Sequence, residues 1–79
     1  MAVLAKSKVV VGAKQLRKAL ENGRARQVFL AKNADPAITE PLEARCAQQG
    51  IPCVWVRSMQ DLGKACGIEV GAAAAAAVE

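Results

Sequence analysis

The sequence contains no histidine and no tyrosine. Histidine is the side chain most often used to move protons near neutral pH, so the common acid–base and nucleophilic constellations lack a member. There is no G-x-S-x-G turn and no Walker-type loop. Gly12 closes a β-branched run without the further glycines of a dinucleotide fingerprint. Three cysteines, Cys46, Cys53 and Cys66, have six and twelve residues between them, so no CxxC pair exists. Without histidine, a tetrahedral zinc site lacks its usual ligands. An odd cysteine count with no secretory signal fits a reducing cytoplasm, where each thiol serves as a small apolar side chain.

Aromatic residues are nearly absent. Phe29 and Trp55 are the only two, which excludes an aromatic cage and the base-stacking platform common among single-strand binders. No run of about 18 apolar residues exists, so no membrane-spanning helix is expected. The opening MAVLAKSK has too short an apolar segment for a secretory signal, and the cytoplasm is the expected location. Glu40 and Glu43, close in sequence, are expected to be solvated on a polar helix face. These absences together predict a non-catalytic protein with no cofactor, no metal and no small-molecule substrate.

What is present is apolar bulk and a divided charge. Apolar residues make up 53% of 79, enough for one compact domain, though a chain this short buries only roughly 60% of its unfolded surface. Residues 1–34 carry eight Lys or Arg against Glu21 alone, a net +7. Residues 35–79 carry three against six acids, a net −3. Such segregation attracts polyanions or makes a solvated basic face, and charge alone does not choose between them.

Val9–Val11, closed by Gly12, reads as a buried strand. From Ala13 to Asn22 the apolar stripe Ala13, Leu16, Ala19, Leu20 predicts a helix ended by Asn22-Gly23. Lys14 and Lys18 fall opposite that stripe, with Gln15 at its flank. Gln27–Ala31 is a second strand, apolar enough to be covered on both faces. After Asp35-Pro36 a helix is expected from about Ile38 to Gln49, with Leu42, Cys46 and Ala47 inward and Gly50 at its C-terminal end. Pro41 fits there only in the first turn. Pro52–Val56 makes a third strand. Ser58 is a good N-cap for a helix from Met59 to Cys66, closed by Gly67. This alternation, with helical crossovers, predicts an α/β fold with a mostly parallel sheet. The tail is ambiguous. Six alanines, Ala72 to Ala77, favour helix by propensity, but small side chains also fill a strand pressed between helical layers.

Three places carry positive signals for nucleic acid. One is the strand ending at Gly12 and opening into a helix with Lys14, Gln15 and Lys18 in its first turns. Unpaired N–H groups and a partial positive charge there favour phosphate, and Lys and Gln side chains can reach base edges. The second is the polar loop Lys32-Asn33-Ala34-Asp35-Pro36. The third is Leu62 to Gly71, a helix end followed by an apolar loop. Each alone is equally a solvated helix face, a simple turn or a piece of core.

Taken together and in order, these places resemble the ribosomal L-seven-Ae and L-thirty-e family, from about Val9 to Val78. The segment LGKACGIEVGAAAAAAV, Leu62 to Val78, carries the resemblance most specifically. The family's helix motif reads Gly-x-Asn-Glu-x-x-Lys, and Gly12, Lys14, Gln15 and Lys18 occupy it here. Glycine and the last lysine match, while Lys14 and Gln15 replace Asn and Glu, as in the family's small bacterial branch. The resemblance implies a three-layer α/β/α sandwich with a four-stranded mixed sheet, and it makes the alanine run a strand, roughly Ala72 to Val78.

It also implies a function: binding kink-turn RNA, in which tandem sheared G·A pairs beside a bulge bend the helix. By that analogy Lys14 and Gln15 read the sheared guanines, while Lys18 contacts guanine or phosphate. Lys32 and Asn33 support the backbone, and Ile68, Glu69 and Val70 line the extruded nucleotide. The partner would be a structured RNA, whether ribosomal RNA, a riboswitch or a messenger leader, bound by a monomer. The rival readings are a ribosome-associated structural protein helped by its neighbours, and a thiol-based redox or metal protein.

Overall fold

Four strands and three helices alternate through residues 8–78, the part of the chain that the computed structural model describes. In order they are β1 (Lys8–Val11), α1 (Ala13–Glu21), β2 (Ala25–Ala31), α2 (Pro36–Gln49), β3 (Cys53–Val56), α3 (Met59–Ala65) and β4 (Ala74–Val78). The expected alternation is present, and the alanine run is a strand from Ala74 onward, with Ala72 and Ala73 leading into it. The Ser58 hydroxyl accepts from the Asp61 N–H and caps α3 as read from the sequence.

The second helix departs from expectation. It starts at Pro36, two residues earlier than predicted, because Asp35 is its cap and accepts from the Ala37 N–H at 2.9 Å. Proline suits the first helical position, where its missing N–H is no loss. Pro41 therefore lies in the second turn, not the first, and leaves the Ala37 carbonyl without its helical donor. Ala47, expected inward, is exposed; Thr39, Leu42 and Cys46 form the buried stripe.

The strand order is β1-β4-β2-β3. Three strands run the same way, as helical crossovers require, but only β2 and β3 are bonded in parallel. β4 runs the other way and inserts between β1 and β2, pairing antiparallel with both. The mostly parallel sheet expected from the connections is thus a mixed sheet. The chain between α3 and β4 doubles back along α3 and needs no crossover, which is how a reversed strand enters.

Alternation along the strands divides the core in two. On one face Val28, Leu30, Ala74, Ala76 and Val78 pack under α1 (Leu16, Ala19, Leu20) and α2 (Leu42, Cys46). On the other, Phe29, Ala31 and Ala75 pack under α3 through Leu62, with Val9, Val11, Val54 and Val56 around them. This is an α/β/α sandwich. Leu16, Leu20, Leu30 and Leu62 are fully buried, each contributing about 1.5–3 kcal/mol of apolar burial.

Ala74, Ala75 and Ala76 have no exposed surface at all. They fill the centre of the sheet between two helical layers, where packing overrides the helix propensity of alanine. Ala76→Val should therefore lower stability by about 1–3 kcal/mol through overpacking, despite valine's better strand propensity. Denaturant unfolding checks this; a gain in stability would show that strand propensity outweighs packing.

Candidate nucleic-acid interface

The three sequence segments that carried nucleic-acid signals meet at one end of the sheet, and backbone hydrogen bonds hold them there. The Gly12 N–H donates to the Ala74 carbonyl at 2.8 Å, and the Ala31 N–H to that of Ala73 at 3.0 Å. Next along the same end, the Lys32 N–H donates to Val56 at 2.8 Å. β4 is the bridge. Because it lies between β1 and β2, the start of α1 and the loop after β2 become neighbours.

Gly12 caps α1 with φ 103° and ψ 148°, a region that side chains other than glycine's hydrogen disfavour by roughly 1–3 kcal/mol. That conformation turns the chain straight from strand into helix. No side chain caps this helix and no acid lies in its first turn, so the first N–H groups point outward uncovered. The other two helices differ: Asp35 caps α2, and Ser58 with Asp61 closes α3. Lys14, Gln15 and Lys18 are all exposed, with Lys14 and Lys18 stacked one turn apart. This end of α1 joins helix dipole, free donors and the Lys14 cation, with Lys18 one turn further on in the last turn of the helix, an arrangement suited to an anion.

Lys32 and Asn33 are exposed in the loop after β2, but Asn33 is already engaged. Its Oδ1 accepts from the Met59 N–H at 2.8 Å, at the first turn of α3. It therefore ties the β2–α2 loop to α3 and is a positioning residue.

After α3 the chain returns along the helix. The Ile68 N–H donates to Gly63 at 3.0 Å, and the Ala72 N–H to Met59 at 2.9 Å. Gly63 is buried, and a Cβ there would run into the Val70 carbonyl; one at Gly71 would meet Met59 Cβ at 3.2 Å. The two glycines let helix and loop lie in contact. Ile68 is half-buried against the core under α3, whereas Glu69 is exposed and Val70 is 71% exposed. Gln60 and Lys64, one turn apart on α3, join Ile68, Glu69, Val70 and Gly71 around a concavity of about 240 Å³. Gln60 lies outside the segment that the sequence singles out, and Gly63 lies inside it without an assigned role; the signal for that role is a glycine inside a helix, which marks a close approach.

The remaining polar groups lie elsewhere. A groove of about 410 Å³ between α1 and α2 is lined by Arg17, Glu21, Ile38, Pro41 and Arg45. Across it Arg45 and Glu21 pair at 4.0 Å, both exposed, a contact of little energetic weight. Glu43, expected to be merely solvated, accepts from Trp55 Nε1 at 3.1 Å. The three cysteines are free. Burial pushes the Cys46 thiol up to about 11, helped by Cys53 and the Glu43 carboxylate. Burial also raises Cys53 and Cys66, so none is an activated thiolate. No helix among the described residues is long and apolar enough to cross a membrane.

Gly63→Ala should cost about 1–3 kcal/mol, because backbone must move to admit the methyl group. The displacement should centre on residues 68–71. Amide NMR shifts that change there, and stay fixed at Lys14–Lys18, are the expected result; an unchanged spectrum would show that the loop is not seated on α3.

Against known proteins, residues 1–79 match the Ribosomal protein L7Ae/L30e/S12e/Gadd45 family. RNA-binding protein TTE2299 of Caldanaerobacter subterraneus subsp. tengcongensis is 45% identical over 71 residues, covering 90% of this chain and 87% of the relative. RNA-binding protein YbxF of Geobacillus stearothermophilus is 46% identical over 74 residues, with 94% and 90% covered. Among solved structures, a Giardia lamblia 15.5kD RNA binding protein superposes with a TM-score of 0.83 at 32% identity. That match covers 90% of this chain, which spans only 60% of the Giardia chain. A Bacillus halodurans protein of unknown function superposes with a TM-score of 0.80 at 27% identity, covering 90% of this chain and 71% of that one. On sequence and fold alike, this chain belongs to the Ribosomal protein L7Ae/L30e/S12e/Gadd45 family.

Proposed function

We propose that this chain is a non-catalytic RNA-binding protein that recognises and stabilises kink-turn RNA through the uncapped end of α1 and the two loops beside it. What supports this reading is that backbone bonds tie the Gly12 start of α1 and the loop at Lys32 to one end of the sheet, while Asn33 and Ala72 both bond to Met59 and so join that loop to the residues that return along α3. The printed names of TTE2299, YbxF and the Giardia protein, all RNA-binding proteins, support the ligand class.

The chemistry fits a bent RNA better than a regular one. A-form helices hide base edges in a deep, narrow groove, and two aromatics at most are available for stacking on splayed bases. Sheared G·A pairs at a sharp bend turn guanine edges outward. Lys14 and Gln15 would meet those edges, since Lys donates to O6 and N7 and Gln both donates and accepts. Lys18 and Lys32 would hold phosphates. Val70 and Glu69 would flank an extruded nucleotide, with half-buried Ile68 supporting the loop beneath them. Asn33 would act by fixing where the two loops stand relative to each other. Binding of this kind selects the bent conformer from an RNA ensemble.

The test is a titration of labelled kink-turn RNA beside the same RNA with its sheared G·A pairs changed to Watson–Crick pairs. Tight binding to the first and weak, salt-sensitive binding to the second is expected; equal weak binding to both would leave only a basic surface. Variants separate the roles. Gln15→Ala should cost about 1–3 kcal/mol on the kink-turn and narrow the gap between the two RNAs, whereas Lys18→Ala, if it meets phosphate alone, should weaken both alike and reduce the salt slope by about one. Equal losses on both RNAs for Gln15→Ala would sink its base-reading role.

A further inference from the structure

Cys46 and Cys53 lie at the opposite end of the molecule from the α1 surface, on the two sides of one tight turn. Gly50, at φ 68°, ends α2 and reverses the chain. The Ile51 N–H then donates to the Cys46 carbonyl at 2.9 Å, and the Pro52 carbonyl accepts from Val28 at 2.9 Å. Cys53 opens β3 opposite Val28. Both side chains face the α1–α2 side of the sheet, Cys46 buried at 1% exposure and Cys53 half-buried against the same cluster. Both thiols thus belong to one cluster on one face of the sheet, near enough for each to influence the other's ionisation. Cys66 belongs to the cluster on the other face of the sheet, so the sheet separates it from both.

We propose that Cys46 and Cys53 form a modification site, a dithiol that a hydroperoxide closes into an intramolecular disulfide joining the last turn of α2 to β3. Cys53, the more accessible, reacts first. Its thiolate sulfur attacks a peroxide oxygen, an S–O bond forms, the O–O bond breaks, and the departing hydroxide takes up a proton to leave as water. The Cys46 sulfur then attacks the Cys53 sulfur. The S–S bond forms, the S–O bond breaks, and hydroxide leaves with the Cys46 proton as a second water. Two electrons pass from the thiols to the peroxide, so one dithiol and one hydrogen peroxide give one disulfide and two waters. Because burial keeps both thiols protonated near neutral pH, closure requires sustained exposure and not a brief pulse. The site is independent of the RNA reading: Cys46 lies ten residues along α2 from Pro36, roughly 15 Å of helix from the loops at the other end.

The experiment treats the whole protein with hydrogen peroxide, quenches it, and alkylates it in denaturant without reductant before tryptic digestion. Cys46 and Cys53 fall in one tryptic peptide, residues 46–57, and Cys66 in another, 65–79. The expected result is a 46–57 peptide that has lost two hydrogens and takes no alkyl group until it is reduced. Cys66→Ser should leave that outcome unchanged, Cys53→Ser should abolish it, and the oxidised protein should melt roughly 5 °C or more above the reduced one. Full alkylation of 46–57 after oxidation, a link to Cys66, or oxygen addition without loss of the two hydrogens would overturn the proposal.

Discussion

The whole arrangement depends on a strand almost without side chains. β4 sits at the middle of the sheet, bonded on both edges, with helices closing on it from both faces. Ala74, Ala75 and Ala76 present a methyl group to each layer and nothing more. Larger residues would push one helical layer outward, since protein interiors pack to near-crystalline density. The alanines thus set the thickness of the sandwich. Through the bonds from Gly12 and Ala31 they also bring the start of α1 beside the loop after β2.

On that frame, electrostatics distinguishes one helix end from the other two. Asp35 and Ser58 occupy the first orphan donors of α2 and α3, whereas Gly12 brings no side chain to α1. Local chemistry and global charge point the same way. The basic excess of residues 1–34 is carried partly by Lys14 and Lys32, at the end where α1 leaves its donors uncovered, and by Lys18 one turn along the same helix. A positive field over unsatisfied N–H groups is a better anion site than either alone.

Much of this was legible in the sequence because it is local. The Leu16-Ala19-Leu20 stripe, the Ser58 cap and the doubly covered strand around Val28–Leu30 each follow from spacing or from one residue's chemistry. The start of α2 lies two residues ahead of the expected one because Asp35-Pro36, a pair that also suits a break, is here a cap followed by a good first helical residue. The bonding pattern of the sheet was out of reach for a different reason. Helical crossovers fix strand direction but not which strands become neighbours, so the insertion of β4 left no local mark. The alanine run shows the limit most plainly: its conformation is decided by two layers that come from distant parts of the chain. The tie from Asn33 to α3 and the seating of residues 68–71 on Gly63 are tertiary contacts of the same kind. The three positions that face solvent on α1 were readable, because a helix with one apolar stripe must present its other residues outward.

The place of β4 in the sheet has a consequence for how the chain acquires its structure. Among the described residues, the strand that joins both halves of the sheet follows all the other elements in the sequence. Until it is present, β1 has no partner, and the parallel β2–β3 pair stands with one open edge. A growing chain can form its helices early, because their hydrogen bonds are local. The sheet must wait, since its central pairings span most of the sequence and carry the loop-closure entropy that goes with that separation. Assembly is therefore concentrated into one late step, and the uncapped end of α1 takes its final geometry only when Ala74 reaches Gly12.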